Sequence, residues 1–365
     1  MHSFDFDRLQ PIGMTPAQAQ ALATLSTSTG DGPATDVARV IEVHRETAVL
    51  HDGAGPFSAR THPRLALDLA GAGAAIAVGD WIACARDAHA APWIVARAEP
   101  LTQIVRRDAD GLRHVVVSNV DTAFLVMGLD GDFNPRRIER YLALVQGAAR
   151  GAITPVVVLT KRDWAGEAVA EDEADALRRR LGPAIPVFAV DGTAAGTADV
   201  LRPWVGRGQT AVLLGSSGAG KSTLTNTLLG AAVQDTGAVR ATDSRGKHTT
   251  THRSLHLLPD GGCVIDTPGV RTLRPDMDAE ALATTFADIE TLAAQCRFRD
   301  CRHQDEPGCA VRAVIDADRL KNWHKLGREL RRDTLSALER QRQVAQWKVR
   351  SRAAHARMKL KRGES

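Results

Sequence analysis

The stretch Gly215-Ser216-Ser217-Gly218-Ala219-Gly220-Lys221-Ser222 fits G-x-x-x-x-G-K-[ST] at every position, the spacing of a loop that wraps nucleotide phosphates. Its glycines let backbone N–H groups curl around phosphate oxygens, and a following helix N-terminus adds favourable partial charge. In such a loop Lys221 reaches the β- and γ-phosphates and Ser222 supplies a magnesium ligand. The flanks agree: Ala211-Val212-Leu213-Leu214 reads as a buried strand running in, and Leu224, Leu228 and Leu229 recur at helical spacing beyond. A second buried-strand pattern, Cys263-Val264-Ile265, ends at Asp266-Thr267-Pro268-Gly269. Asp266 there suits the outer shell of the magnesium, and the Gly269 N–H suits sensing of a γ-phosphate. Between the two, Ser244 to Arg253 is polar and broken by glycine, as a switch loop requires. Thr250 is its expected magnesium ligand, with Thr249 or Thr251 as substitutes.

A phosphate cradle does not name the base. Upstream, the apolar run Pro155-Val156-Val157-Val158-Leu159 ends in Thr160-Lys161-Arg162-Asp163. This fits [NT]-K-x-D, the guanine reader of GTPases, in which the aspartate takes the ring N–H and the exocyclic amine while the lysine stem packs along the base. Adenine offers no such donor pair. The reader precedes the cradle in the chain, which a doubly wound sheet permits because its loops all gather at the carboxyl ends of the strands. The expected third base loop, after Ile185 to Val190, carries Asp191-Gly192 where Ser-Ala is common, and no role is assigned to the Asp191 side chain.

Cys296-x4-Cys301-x-His303-x5-Cys309 offers three thiolates and one imidazole, the closed set of a structural zinc site with no position left for a catalytic water. Cys84 and Cys263 lie in apolar runs and read as small core residues.

The order Thr160 to Asp163, then Gly215 to Ser222, then Asp266 to Gly269, resembles the circularly permuted GTPases, and among them the RsgA family of ribosome small-subunit-dependent GTPases. Asn119 to Val145, the switch stretch RGKHTTTHR and the Cys296–Val311 segment are similar to that family's sequences, over roughly residues 36 to 330. The resemblance implies bound GTP or GDP with magnesium, one zinc, hydrolysis stimulated by the small ribosomal subunit, and contact with its rRNA. It also implies a role for His248. Many GTPases orient the attacking water with a glutamine directly after D-x-x-G; here that position is Val270. His248 is the expected substitute, since imidazole can accept a hydrogen bond from water, although His252 lies close by.

The elements that must hold these residues follow from the rest of the chain. The expected fold is an α/β P-loop GTPase domain, circularly permuted around a doubly wound sheet, with an N-terminal β-barrel and a C-terminal zinc-binding, mainly helical domain. Short strands with close turn signals at Val37 to Val43, Ala48 to Leu50, and through AVGDWIACARD and PWIVARAEP read as a small barrel; the resemblance makes it an OB-fold. Residues 1–34, rich in Ala, Gln, Ser and Thr, read as a flexible extension. The barrel then spans 35–103, the GTPase domain 104–275 and the zinc domain with basic helices 276–365, with Ile104 to Val120 as a link.

Charge concentrates at one end. From Arg319 onward there are fifteen Lys and Arg against four Asp and Glu, a net of +11; with +4 for the whole chain, the first 318 residues sit at −7. That excess is the signature of phosphate contact and points to rRNA. Trp323 and Trp347 either stack on bases or pack on the zinc module. No apolar run approaches the ~18 residues of a membrane span, and the first residues lack a basic-then-apolar leader, so a cytoplasmic monomer without membrane contact is expected. Two other classes compete: a P-loop kinase or ATPase that has no use for Asp163, and a zinc-containing RNA-binding protein with a vestigial nucleotide site.

Overall fold

The computed structural model describes residues 4–28, 36–87, 89–108, 111–148, 152–232, 253–269 and 274–334. It separates after Glu290 into two units.

The first unit begins with helices α1 (Phe6–Leu9) and α2 (Pro16–Ser28), joined by a 3-10 turn over Gln10–Ile12. This corrects the expectation of a flexible extension for residues 4–28. Leu9, Ile12, Met14 and Leu22 are buried with Trp81 and Ala98. The composition looks polar, but four well-placed apolar anchors suffice once there is a surface to receive them.

That surface belongs in part to a barrel. Strands β1 (Asp36–Val43), β2 (Ala48–His51) and β3 (Pro56–Thr61) are followed by helix α3 (Pro63–Gly71), then β4 (Trp81–Arg86) and β5 (Pro92–Arg97). The pairing runs β1–β2–β3–β5–β4 and closes β4 back on β1, with β3–β5 the parallel contact. This closed five-strand order is that of an OB-fold. Ala38, Val40, Leu50, Ile82, Cys84 and Ile94 fill its interior. The opposite face of β1 is not solvated: Val37 packs on the N-terminal cluster and Ile41 on the core of the nucleotide-binding sheet. β1 is covered on both faces because it lies between two cores.

The expected link is a hairpin, β6 (Gln103–Arg107) and β7 (Arg113–Ser118), paired with β14 (Arg274–Pro275). Around it run β8 (Thr122–Gly128), α4 (Pro135–Gln146), β9 (Thr154–Thr160), α5 (Arg162–Ala165), α6 (Glu167–Leu181), β10 (Val187–Ala189), α7 (Gly196–Leu201), β11 (Thr210–Gly215), α8 (Lys221–Leu229), β12 (Ser254–Leu257) and β13 (Cys263–Asp266). The sheet order is β10-β9-β8-β11-β13-β12. All pairs are parallel except β12–β13. Ile138 and Leu142 of α4 and Ala170, Ala174 and Leu177 of α6 close one face of the sheet, while Leu201 of α7 and Leu224 and Leu228 of α8 close the other. Helices on both faces of a mainly parallel sheet make it doubly wound.

A fully buried arginine ties these parts together. Arg39 Nη1 donates to the Ile12 carbonyl (2.5 Å) and the Thr210 hydroxyl (2.8 Å), and Nη2 donates to the Asn119 carbonyl (2.9 Å). Its guanidinium lies over Trp81, 5.3 Å from the ring centre. Burial lowers the Arg39 pKa, partly opposed by the nearby Cys263, Asp121 and Asp80. Gly13, at φ 91°, makes room: a Cβ there would sit 1.9 Å from Arg39 Nη1. The N-terminal turn, the barrel and the strand that leads to the phosphate loop thus share one cation.

The second unit contains the cysteine loops, α11 (Ala310–Val314) and α12 (Ala317–Thr334); α9 (Ala279–Thr285) precedes it and α10 (Ala287–Ala293) runs into it.

Candidate functional site

The three strand ends named by the sequence meet at the carboxyl edge of the sheet. β9 and β11 are separated only by β8, and the Thr160 hydroxyl donates to the Ala219 carbonyl of the phosphate loop at 2.7 Å. The T-K-x-D strand end and the glycine loop are therefore in direct contact. Lys161 turns the chain at φ 65°, and its ammonium donates to Asp130 Oδ2 at 2.5 Å. Arg162 and Asp163 follow in the exposed α5.

In the cradle, Leu214 is a core residue with its side chain inside the sheet, so only its backbone is available to a ligand. Gly215 and Ser216 offer their carbonyls to Lys221 Nζ at 3.2 and 3.0 Å. Lys221 is 6% exposed, and burial lowers its pKa against the pull of Asp266. Ser217 and Gly218 form the open lip of the loop, with Ala219 buried beneath. On the far side, Gly269 presses on that lip: a Cβ at Gly269 would lie 2.3 Å from the Ser217 nitrogen. Only glycine allows D-x-x-G and the cradle to touch here.

Ser222 Oγ donates to Asp266 Oδ2 at 3.2 Å. Asp266 is fully buried, and among the described residues its Oδ1 has no hydrogen-bond partner. Burial raises the pKa of its carboxyl, against the attraction of Lys221. An orphaned buried carboxylate oxygen beside a hydroxyl is an oxygen donor set that fits a hard divalent cation such as magnesium.

The third base loop is tied to the cradle helix: the Thr227 hydroxyl donates to the Gly192 carbonyl at 2.6 Å. The Asp191 carboxylate is engaged in its own turn, accepting from the Thr193 N–H (2.8 Å) and hydroxyl (2.7 Å). His248, Thr249, Thr250, Thr251, His252, Val270 and Trp347 lie outside the described residues.

One part of the site was not anticipated. The turn after β8 carries Asp130 against Lys161 and Asp132 paired with Arg137, which also reaches Ser216. The only sequence signal was a pair of acids, Asp130-Gly131-Asp132, at the end of an apolar run, a pattern that reads as an ordinary turn.

In the second unit the ligand atoms of Cys296, Cys301, His303 and Cys309 lie within 4.8 Å of one another. Cys296 Sγ is 3.9 Å from Cys309 Sγ and 3.6 Å from His303 Nδ1, which is 3.4 Å from Cys309 Sγ. A tetrahedron with Zn–S bonds of ~2.3 Å has edges of ~3.8 Å, so Cys296, His303 and Cys309 stand at the spacing of zinc ligands, with Cys301 near enough to complete the set. Trp323 of α12 packs on His303, ring centres 5.6 Å apart, and His324 Nε2 lies 3.4 Å from the His303 carbonyl. Trp323 thus packs on one member of the four-residue cluster.

The family model described as RsgA GTPase matches residues 98–275. The chain is 46% identical over 338 residues to a protein of Xanthomonas axonopodis pv. citri named "Small ribosomal subunit biogenesis GTPase RsgA", covering 89% of each chain. It is 49% identical over 286 residues to the protein of that name from Xanthomonas campestris pv. campestris, covering 78% of this chain and 76% of the other. Among solved structures it is similar to YjeQ from Thermotoga maritima, with a TM-score of 0.58 at 24% identity over 81% of this chain and 98% of that one. It is also similar to YloQ, a circularly permuted GTPase, with a TM-score of 0.55 at 22% identity over 83% and 97%. The permuted order of its motifs, the barrel that precedes them and a relative 46% identical along nearly the full length agree: the chain belongs to the RsgA GTPase family.

Proposed function

We propose that this protein hydrolyses GTP to GDP and phosphate on the small ribosomal subunit and assists the late maturation of that subunit. The observation that carries the reading is the 2.7 Å hydrogen bond from Thr160 to Ala219, which supports taking the T-K-x-D strand end and the phosphate loop as one site.

In this reading the Asp163 carboxylate accepts the ring N–H and exocyclic amine of guanine, and the Lys161 stem lies along the base. Lys221 leaves the carbonyls of Gly215 and Ser216 for the β- and γ-phosphates. Ser222, with Thr250 of the switch loop, would hold magnesium, and Asp266 would orient its shell; the cation neutralises charge that develops on the phosphoryl oxygens. The Gly269 N–H senses the γ-phosphate. Val270 has no group that can orient water, so His248 accepts a hydrogen bond from the attacking water. Docking on the subunit orders the switch loop and carries His248 inward, which makes turnover of the free protein slow.

The zinc ion would be held by Cys296, Cys301, His303 and Cys309 and folds the second unit. The basic segment from Arg319 onward, with the barrel, grips rRNA. The protein works as a cytoplasmic monomer. The test is hydrolysis of GTP and of ATP with and without purified small subunits. Stimulation is expected for GTP and by that subunit alone; equal turnover of ATP, or indifference to the subunit, would overturn the reading. His248→Ala is expected to keep GTP binding and lose most of the stimulated rate.

A further inference from the structure

The turn between β8 and α4 touches the phosphate loop through a set of contacts that neither the P-loop nor the base-reading motif includes. Arg137 and Asp132 form a two-point pair, Nη1 to Oδ2 at 2.6 Å and Nη2 to Oδ1 at 3.2 Å. The same Nη1 donates to the Ser216 hydroxyl at 3.2 Å, and that hydroxyl donates to Asp132 Oδ2 at 3.4 Å. The three side chains close a triangle.

Both of its ends are fixed. Arg137 stands in the first turn of α4, which starts at a Pro135 N1 residue behind an Asn134 cap that accepts from the Arg136 N–H. Ser216 is 2% exposed. Its backbone carbonyl accepts both Lys221 Nζ at 3.0 Å and the Ala219 N–H at 3.3 Å. Ser216 is thus held by its side chain from α4 and by its carbonyl from the P-loop lysine.

We propose that Arg137, aimed by Asp132, is a positioning residue of the nucleotide site: it fixes the first peptide of the phosphate loop and with it the place from which Lys221 reaches the phosphates. The proposal rests on the guanine-nucleotide reading above. A loop already held in one arrangement reorganises less when the phosphates arrive, and that difference appears as affinity. The effect is modest, since the Arg137 and Asp132 side chains are 22% and 52% exposed and solvent screens the pair. One charge-assisted hydrogen bond of this kind corresponds to about tenfold in binding.

The test uses the full-length, zinc-loaded protein and its R137A, S216A and R137A/S216A variants. It measures the Kd of a fluorescent GDP analogue, the GTP KM and kcat with small subunits, and the Tm of the nucleotide-free protein. R137A and S216A are each expected to raise Kd and KM by about tenfold, and in R137A kcat stays within about threefold. The double variant is expected to be no worse than the weaker-binding single variant, because both remove the same contact. The nucleotide-free Tm is expected to fall by about 2 °C or less, as for a partly exposed pair in a unit of this size. Affinities within about twofold of the parent, effects that multiply in the double variant, or a loss that tracks a large fall in Tm would overturn the proposal. A parent protein that bound no guanine nucleotide would overturn it together with the reading beneath it, which separates the two failures.

Discussion

Thr160 and Ala219 are 59 residues apart in the chain and meet at 2.7 Å; Cys296 and Cys309 are 13 apart and meet at 3.9 Å. The first contact exists because two strands with one neighbour between them end at the same edge of a sheet whose faces are covered by helices. The cost of closing so long a loop is met by burial elsewhere. The second contact is local, in a stretch of short turns where few apolar side chains are buried, so a metal bound there would supply much of the folding energy. One site is built by its core; the other builds what surrounds it.

The comparison can be broken most visibly by removing zinc. Chelation, or Cys309→Ala, is expected to abolish cooperative folding of residues 291–334, since a structural zinc contributes about 10–16 kcal/mol of apparent binding energy. Guanine nucleotide binding is expected to survive within about threefold. Limited proteolysis alongside a GDP titration reads both; equal loss of the two would contradict the division.

The converse change is Arg39→Leu. It leaves the Ile12 and Asn119 carbonyls and the Thr210 hydroxyl buried and short of a donor, at about 3–5 kcal/mol. Thermal unfolding of the first unit is expected to move down by about 10 °C, with zinc retained stoichiometrically. A sharper, slightly smaller effect is expected at Asp80, whose carboxyl burial pushes up from 3.8 to about 6 although Arg97 opposes it. A carboxyl whose folded pKa is raised binds its proton more tightly in the folded state, so its favourable contribution is full below pH 3.8 and is lost as pH rises to about 6. Asp80→Asn is expected to remove that loss, gaining up to ~3 kcal/mol over the parent between pH 4 and 7. Unfolding midpoints across that range check it; parallel curves would contradict it.

The chemistry-bearing stretches were legible in the sequence because each carries its own spacing: a glycine loop between strand and helix, a T-K-x-D after five apolar residues, four candidate metal ligands within fourteen residues. What escaped depends on surfaces formed by other parts of the chain. Residues 4–28 look polar, and their four anchors are buried only because Trp81 and Ala98 present a place for them. Arg39 sits on the outer register of a barrel strand, where a charge is ordinarily solvated; here that register faces a second core. Arg137 reads as one of several arginines at a helix start, and only the neighbouring β11 gives it Ser216 to hold.

The most direct measurement is the nucleotide preference of Asp163→Asn. Xanthine carries a carbonyl where guanine carries the exocyclic amine, so an asparagine amide can donate where the aspartate accepted. If Thr160-Lys161-Arg162-Asp163 and Gly215 to Ser222 hold one base and its phosphates, the variant loses GDP affinity by about 100-fold, roughly 2.7 kcal/mol, and binds XDP better than GDP. A variant that kept the parent's affinity and preference would contradict the account.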